Sequence, residues 1–396
     1  MKQRYQQYKT GVSRIPLPLP FVDMDLLDEN IAQVLARSDG KRVRVASKSV
    51  RSVAVLRHIL ASDARFQGLM CFTAPEAVWL AAQGFDDLLT AYPAWEPRHI
   101  TAVCQAIRQG SHITLMVDSE AHIRHIEAIA QQEGVVVPLC LDLDMSSDYG
   151  PIHFGVWRSG VRMGETAVSL AHLIAQSPHL KLDGVMGYEA QIAGLGDANP
   201  EQKVMSRLIR LLKGRSIPQV ARRRAGILAE LAAAGLTLRF VNGGGTGSLH
   251  TTSRETAVTE VTAGSAFFAP LLFDHYHDFR FQPAAGYAIQ IVRQPKPGLY
   301  TCLGGGYPAS GQTGPDKSPQ PYLPVGARLD GNEGAGEVQT PIHYTGPEKL
   351  ALGDPIFMRH AKAGELCERF NALLLLRNGR LLDEVTTYRG DGQCFL

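Results

Sequence analysis

The sequence predicts an α/β protein: a (β/α)8, TIM-like barrel followed by a C-terminal, mostly β domain. Between residues 21 and 275, short apolar runs alternate with longer stretches of helical period. Buried parallel strands read as such continuous runs, because both faces are covered and each strand needs a crossover helix. About eight or nine strand-then-helix units over roughly 250 residues fit a closed barrel better than an open doubly wound sheet. In addition, no G-x-G-x-x-G follows the first apolar run, which argues against a dinucleotide fold.

The strand candidates are Phe21–Met24, Arg42–Ala46, Gly68–Phe72, Asp87–Ala91, Ile113–Val117, Val135–Leu143, Leu182–Tyr188, Leu238–Asn242 and Val258–Ala263. Helical period fills the stretches between them, for example Ala121–Gln132 and Gln219–Ala234, the latter ended by Gly235. The texture changes after about residue 276, and residues 293–347 are rich in Gly and Pro. Ala288–Val292 and Pro355–Arg359 read as strands, and Ala372–Arg377, Asn378-Gly379 and Arg380–Tyr388 as a hairpin with an Asn-Gly turn. The expected division is residues 1–20, a segment joining the β domain; 21–275, the barrel; and 276–396, the C-terminal β domain.

Composition bounds the function. The 396 residues carry 40 Lys+Arg against 38 Asp+Glu, a net charge of +2, which gives no electrostatic case for nucleic acid or an anionic membrane. The longest apolar runs, such as Ala372–Leu376, are far shorter than the roughly 20 residues of a spanning helix, and Met1–Thr10 has no apolar core of a secretory signal. Six cysteines are scattered without a C-x-x-C pair, against a zinc ribbon or redox dithiol. A cytoplasmic protein acting on a small molecule is the expectation.

Two features carry chemistry. Lys48 closes the β-rich run Arg42-Val-Arg-Val-Ala-Ser-Lys48. In a barrel, strand C-terminal ends face the catalytic mouth, where a lysine can act as a nucleophile toward a carbonyl. A solvent-facing lysine at a strand end is the alternative. Asn242-Gly-Gly-Gly-Thr-Gly-Ser248 follows a late strand directly. Glycines let main-chain N–H groups approach an anion, and late barrel loops often bind phosphate. Ala263-Gly-Ser-Ala266 ends the next strand and can complete such a cradle.

Five motifs in order are Pro20-Phe-Val-Asp-Met-Asp-Leu-Leu-Asp-Glu-Asn30-Ile, Ala46-Ser-Lys48-Ser, Gly160-Val-Arg-Met-Gly164, Gly187-Tyr188 and Gly243-Gly-Gly-Thr-Gly247. Together they resemble the fold-type III pyridoxal phosphate enzymes, the D-threonine aldolase and D-serine dehydratase branch related to the alanine racemase barrel. The resemblance implies that Lys48 anchors pyridoxal 5'-phosphate and that Arg162 and Tyr188 face its ring. It implies too that Gly244, Gly245, Thr246, Gly264 and Ser265 bind its phosphate, with Asp23 or Asp25 near the lysine. It further implies a lyase acting on D-3-hydroxy amino acids, by retro-aldol cleavage or by dehydration, and a homodimer. A racemase would need a second acid–base group, for which Tyr307 is the candidate, and a non-catalytic cofactor carrier would lack the second domain.

The branch also places a divalent metal on a histidine and, two residues later, an aspartate or cysteine. Here His360 ends Pro355–Arg359, but two residues on stands Lys362, which cannot ligate while protonated. Cys367 or Glu365 would have to complete the site, with zinc or manganese as the metal; otherwise Lys362 itself supplies the positive charge. His360 is also the candidate base for the substrate's hydroxyl, and His250, His275, His277 and His343 are further acid–base candidates.

Overall fold

The structure is a computed structural model that describes residues 2–312 and 314–395. The chain forms two compact units. One is built from Val34–Lys48 and Leu56–Gly264; the other from the segments ending at Gln33, from Ser49–Val55, and from Ser265 to Cys394.

The first unit is a closed barrel of parallel strands: Arg42–Ala46, Phe66–Cys71, Leu88–Pro93, Ile113–Val117, Val137–Asp144, Leu180–Tyr188, Phe240–Gly243 and Glu260–Ala263. The last strand returns to the first, with Glu260 opposite Arg42 and Ala263 opposite Val45. Alternate strand residues point inward, and Met70, Leu89, Met116, Cys140, Met186 and Phe240 pack there as one buried cluster. Toward the strand N-termini the filling turns ionic. Arg44 is fully buried and binds both Glu260 oxygens, at 2.7 and 3.0 Å, and the Asp87 carbonyl at 2.6 Å. Arg239 bridges Asp87 and Asp183. A cavity of about 330 Å³ beside Arg42, Asp87 and Arg239 thus lies at the end of the barrel opposite Lys48, where Asp87, Arg239 and Glu260 are already paired.

One outer helix is longer than its periodicity suggests. Lys203–Ala233 runs through Pro218, although a proline in a helix interior costs about 3 kcal/mol. The buried residues Leu212, Ser216, Val220, Arg224, Ile227 and Leu231 explain this, because one packed stripe continues on both sides of the proline.

The second unit is centred on a nine-stranded sheet whose main path contains Arg328–Leu329, Gln339–His343, Leu299–Leu303, Ala285–Lys296, Leu19–Asp23, Ala372–Arg377 and Arg380–Thr386. Pro355–Arg359 pairs with Ala285–Lys296 and with Gln320–Leu323. The expected hairpin turns at Asn378-Gly379, with Arg377 opposite Arg380. One strand expectation is corrected. The run around Phe21–Met24 is not a barrel strand: Leu19–Asp23 pairs antiparallel with the strand at Ala288 and parallel with the strand at Leu374. A five-residue run buried on both faces looks the same in either sheet, and pairing alone decides between them. Asp23 closes this strand as a helix cap, accepting from the Asp25 and Leu26 amides at 3.0 Å and from the Tyr8 hydroxyl.

Candidate active site

Lys48 lies in the short turn Ser47–Ser49 that ends the Arg42–Ala46 strand, and its side chain is exposed. The turn is held from below, where the buried Ser47 hydroxyl donates to the Met70 carbonyl at 3.0 Å. Glu260–Ala263 separates this strand from Phe240–Gly243, which runs straight into the glycine loop. Lys48 and that loop therefore share the C-terminal end of the barrel.

The loop is shaped for close approach. Gly244 has φ +82°, a left-handed conformation that favours glycine. At Gly245 an added Cβ would come within 2.8 Å of the Ala193 Cβ and 3.0 Å of Tyr188 Cε2, so the backbone lies directly against the tyrosine ring. Ser248 turns back on the loop, its hydroxyl accepting from the Gly245 amide at 3.0 Å and donating to Glu189 Oε1 at 2.6 Å. Thr252 donates to that same oxygen. Beneath them Arg224, 1 % exposed, binds Glu189 Oε2 at 2.8 Å, the Gly187 carbonyl at 3.0 Å and Glu255. Tyr188, Glu189, Arg224 and the glycine loop form one braced unit. Thr246 is buried in it, and Gly264 closes the neighbouring strand, whereas Ser265 opens Ser265–Phe268 in the other unit.

Two arginines, Arg162 and Arg158, reach the strand end at Asp142 and Asp144. Arg162 is turned to acidic neighbours, with Nε 2.8 Å from Asp144 and Nη1 2.6 Å from Asp148. Arg158 lies deeper, its guanidinium 4.6 Å from the centre of the Tyr92 ring and 5.8 Å from that of Tyr188, with Nε donating to Asp142 at 2.7 Å. Sequence reasoning missed Arg158, because the connection Met145–Met163 shows no periodic pattern, and Asp142, which lies within the apolar run of the Val137–Asp144 strand. It missed Glu189 and Arg224 as well, since Arg224 is the last of three consecutive arginines and nothing along the chain marks it as the buried one.

Asp142 is buried, and burial raises its carboxyl to about 7 despite the opposing pull of Arg158. An unfolded aspartate titrates near about 3.9, so between about pH 4 and pH 7 the native state keeps a proton that the unfolded chain has lost. Stability consequently falls as pH rises through that window, by up to about 1.4 kcal/mol per pH unit. Urea midpoints measured across it are expected to show a slope in wild type that Asp142→Asn removes; equal slopes would contradict the assignment.

In the second unit His360 follows the Pro355–Arg359 strand and is 1 % exposed. Apart from a weak approach to the Ala285 main chain, neither ring nitrogen has a hydrogen-bond partner. Burial, reinforced by Arg359, lowers its pKa to about 3, so the ring is neutral. Cys367 donates its thiol to the Val50 carbonyl at 3.2 Å, and burial pushes that thiol up to about 12. No group of three His, Cys, Asp or Glu side chains among the described residues is placed to hold a metal. The donor set here does not fit a divalent cation. Of the other histidine candidates, His250 pairs with Arg37, His277 with Asp278 and His343 with Asp330, and among the described residues no such partner is shown for His275.

Residues 22–269 match the model of the alanine racemase N-terminal domain. The chain belongs to that family. Relatives include a 3-hydroxy-D-aspartate aldolase of Paracoccus denitrificans, 29% identical over 269 residues, which are 67% of this chain and 64% of that protein. A D-threo-3-hydroxyaspartate dehydratase of Delftia sp. strain HT23 is 29% identical over 263 residues, 64% of this chain and 62% of the relative. The match thus spans under two thirds of either relative. Among solved structures, a D-threonine aldolase from Filomicrobium marinum superposes with a TM-score of 0.78 at 19% identity, covering 96% of both chains, which speaks to the fold. The Delftia dehydratase gives 0.71 at 21% identity, over 95% of this chain and 98% of that one. Its solved variants include one with a histidine replaced and one, in the metal-free form, with a cysteine replaced two positions further on.

Proposed function

We propose that this protein is a pyridoxal phosphate-dependent lyase that cleaves D-3-hydroxy amino acids by a retro-aldol route to glycine and an aldehyde. The observation that carries the reading is that Lys48 and a glycine loop pressed against Tyr188 close neighbouring parts of one barrel end. The relatives' activities, aldolase and dehydratase, point the same way.

The residues suit the cofactor: Gly244, Gly245, Thr246 and Gly264 would hold its phosphate, Tyr188 and Arg158 would face its ring, and Lys48 would anchor it. When bound, the group withdraws electrons from the bonds at the substrate's Cα. Lys48 is the amine that yields to the substrate's amino group, and it is afterwards free to take or return a proton at Cα. By holding the phosphate, the glycine loop would orient the bound group and with it the substrate. Retro-aldol cleavage needs a base for the β-hydroxyl proton, the role for which the sequence offers His360. If Lys48 instead removes the Cα proton, loss of the hydroxyl follows and the products are a 2-oxo acid and ammonia.

Product analysis with pyridoxal phosphate and D-threonine or D-threo-3-hydroxyaspartate tests the reading. Glycine with an aldehyde is expected; ammonia with a 2-oxo acid moves the protein to the dehydratase class, and no turnover of either substrate refutes the lyase reading. The protein is read as a cytoplasmic homodimer. Five buried, unpaired cysteines agree with a reducing compartment, and no helix among the described residues is long and apolar enough to cross a membrane. The exposed Val204, Met205, Leu208 and Leu211 on one helix suit a protein partner. Sedimentation at several concentrations that showed a monomer throughout would exclude the dimer.

A further inference from the structure

The segment after His360 is built around a fixed cation. Lys362 Nζ donates to Ser310 Oγ at 2.7 Å, approaches the Ser310 carbonyl at 3.4 Å and lies 3.7 Å from Glu365 Oε1. Glu365 uses its other oxygen to accept the Ser310 amide at 3.0 Å, and the Ser310 hydroxyl also donates to it. Every candidate that would have to join His360 in a metal site is therefore engaged. Glu365 is shared between Ser310 and Lys362, and the Cys367 thiol points to the Val50 carbonyl. An ammonium has three N–H donors and no lone pair, so Lys362 can only repel a divalent ion placed beside it.

We propose that this protein works without a bound divalent cation, and that the Lys362 ammonium, held by Ser310 and Glu365, stands at the position, two residues after His360, where a metal ligand would be needed. The proposal rests on the lyase reading, and it separates this chain from the relative whose cysteine variant is described as metal-free. The lysine is a positioning residue. It ties the glycine-rich stretch at Ser310 to the segment that carries His360.

The test uses the full chain loaded with pyridoxal phosphate, dialysed against chelator and then against buffer containing Mn²⁺ or Zn²⁺. Metal content by mass spectrometry and Mn²⁺ binding by electron paramagnetic resonance are read beside turnover. Wild type is expected to stay far below one metal per chain and to lose no turnover to the chelator. Lys362→Cys is expected to gain metal at close to one per chain, with Lys362→Asp serving if that variant does not fold. Stoichiometric metal in wild type, lost together with turnover on chelation, would overturn the proposal. So would a folded Lys362→Cys that takes up none, because the lysine would then not be what excludes the ion. Should the protein turn over no D-3-hydroxy amino acid at all, the lyase reading fails while metal content still decides this point.

Discussion

Lys48→Ala is expected to abolish the visible absorption of the lysine-linked cofactor and to lower turnover by roughly 10²–10⁴-fold, the range for loss of a positioned acid–base group. Two effects combine in this one side chain. In the proposed reading the ε-amine would be the covalent anchor and, once released, a base for the Cα proton. The turn that carries it is held by Ser47 on the Met70 carbonyl, so truncation at an exposed side chain removes chemistry without opening a cavity. Stability in urea is accordingly expected to change little. Lys48→Arg keeps the charge but cannot serve as the amine at neutral pH, and it should match the alanine variant in absorption. If Lys48→Ala retains the absorption band, another lysine is the anchor and the assignment of the site fails.

Arg224→Met should have the largest effect on folding. The guanidinium neutralises Glu189 and Glu255 while donating to the Gly187 carbonyl, all in a site that is almost fully buried. Replacing it leaves two carboxylates without their counter-charge, and removing one partner of a buried ion pair costs about 3–5 kcal/mol. The effect also reaches the phosphate loop. Glu189 holds Ser248 and Thr252, and Ser248 holds the Gly245 amide, so a displaced Glu189 loosens the cradle beside Tyr188. Chemical denaturation should show the stability loss, and titration with pyridoxal phosphate should show weaker binding. Arg224→Lys should recover part of the stability, since one ammonium cannot reproduce the planar fork that spans both carboxylates. A methionine variant as stable as wild type, with unchanged cofactor affinity, would mean that the network does not brace the loop.

Both variants show which parts of the site could be read along the chain. Lys48 and the loop Asn242–Ser248 are legible because their meaning is local: a nucleophile at a strand end, and glycines immediately after a strand. Arg224 is not legible, because it is one of three consecutive arginines and only packing shows which of them is buried. Glu189 follows Tyr188 directly, yet its partners lie 35, 59 and 63 residues away, a distance that no window along the chain covers. The arginine at the barrel mouth illustrates the same limit. Gly160-Val-Arg-Met-Gly164 draws attention to Arg162 by its glycines, but Asp144 and Asp148 hold that side chain and Arg158 takes the place between the two tyrosines.

The order of apolar runs and helical stretches was enough to determine the barrel, because burial on both faces leaves a continuous apolar signature in each strand and the connections impose parallel pairing. The Asn-Gly turn of the last hairpin was equally determined, since that dipeptide supplies the two left-handed residues the turn needs. Tertiary structure alone decided that Leu19–Asp23 belongs to the nine-stranded sheet, because hydrogen-bond partners, not hydrophobicity, distinguish one buried strand from another. It alone decided as well that Lys362, Ser310 and Glu365 close on one another, since ion pairs and hydrogen bonds depend on distance in space and their members stand 52 and 55 residues apart in the chain.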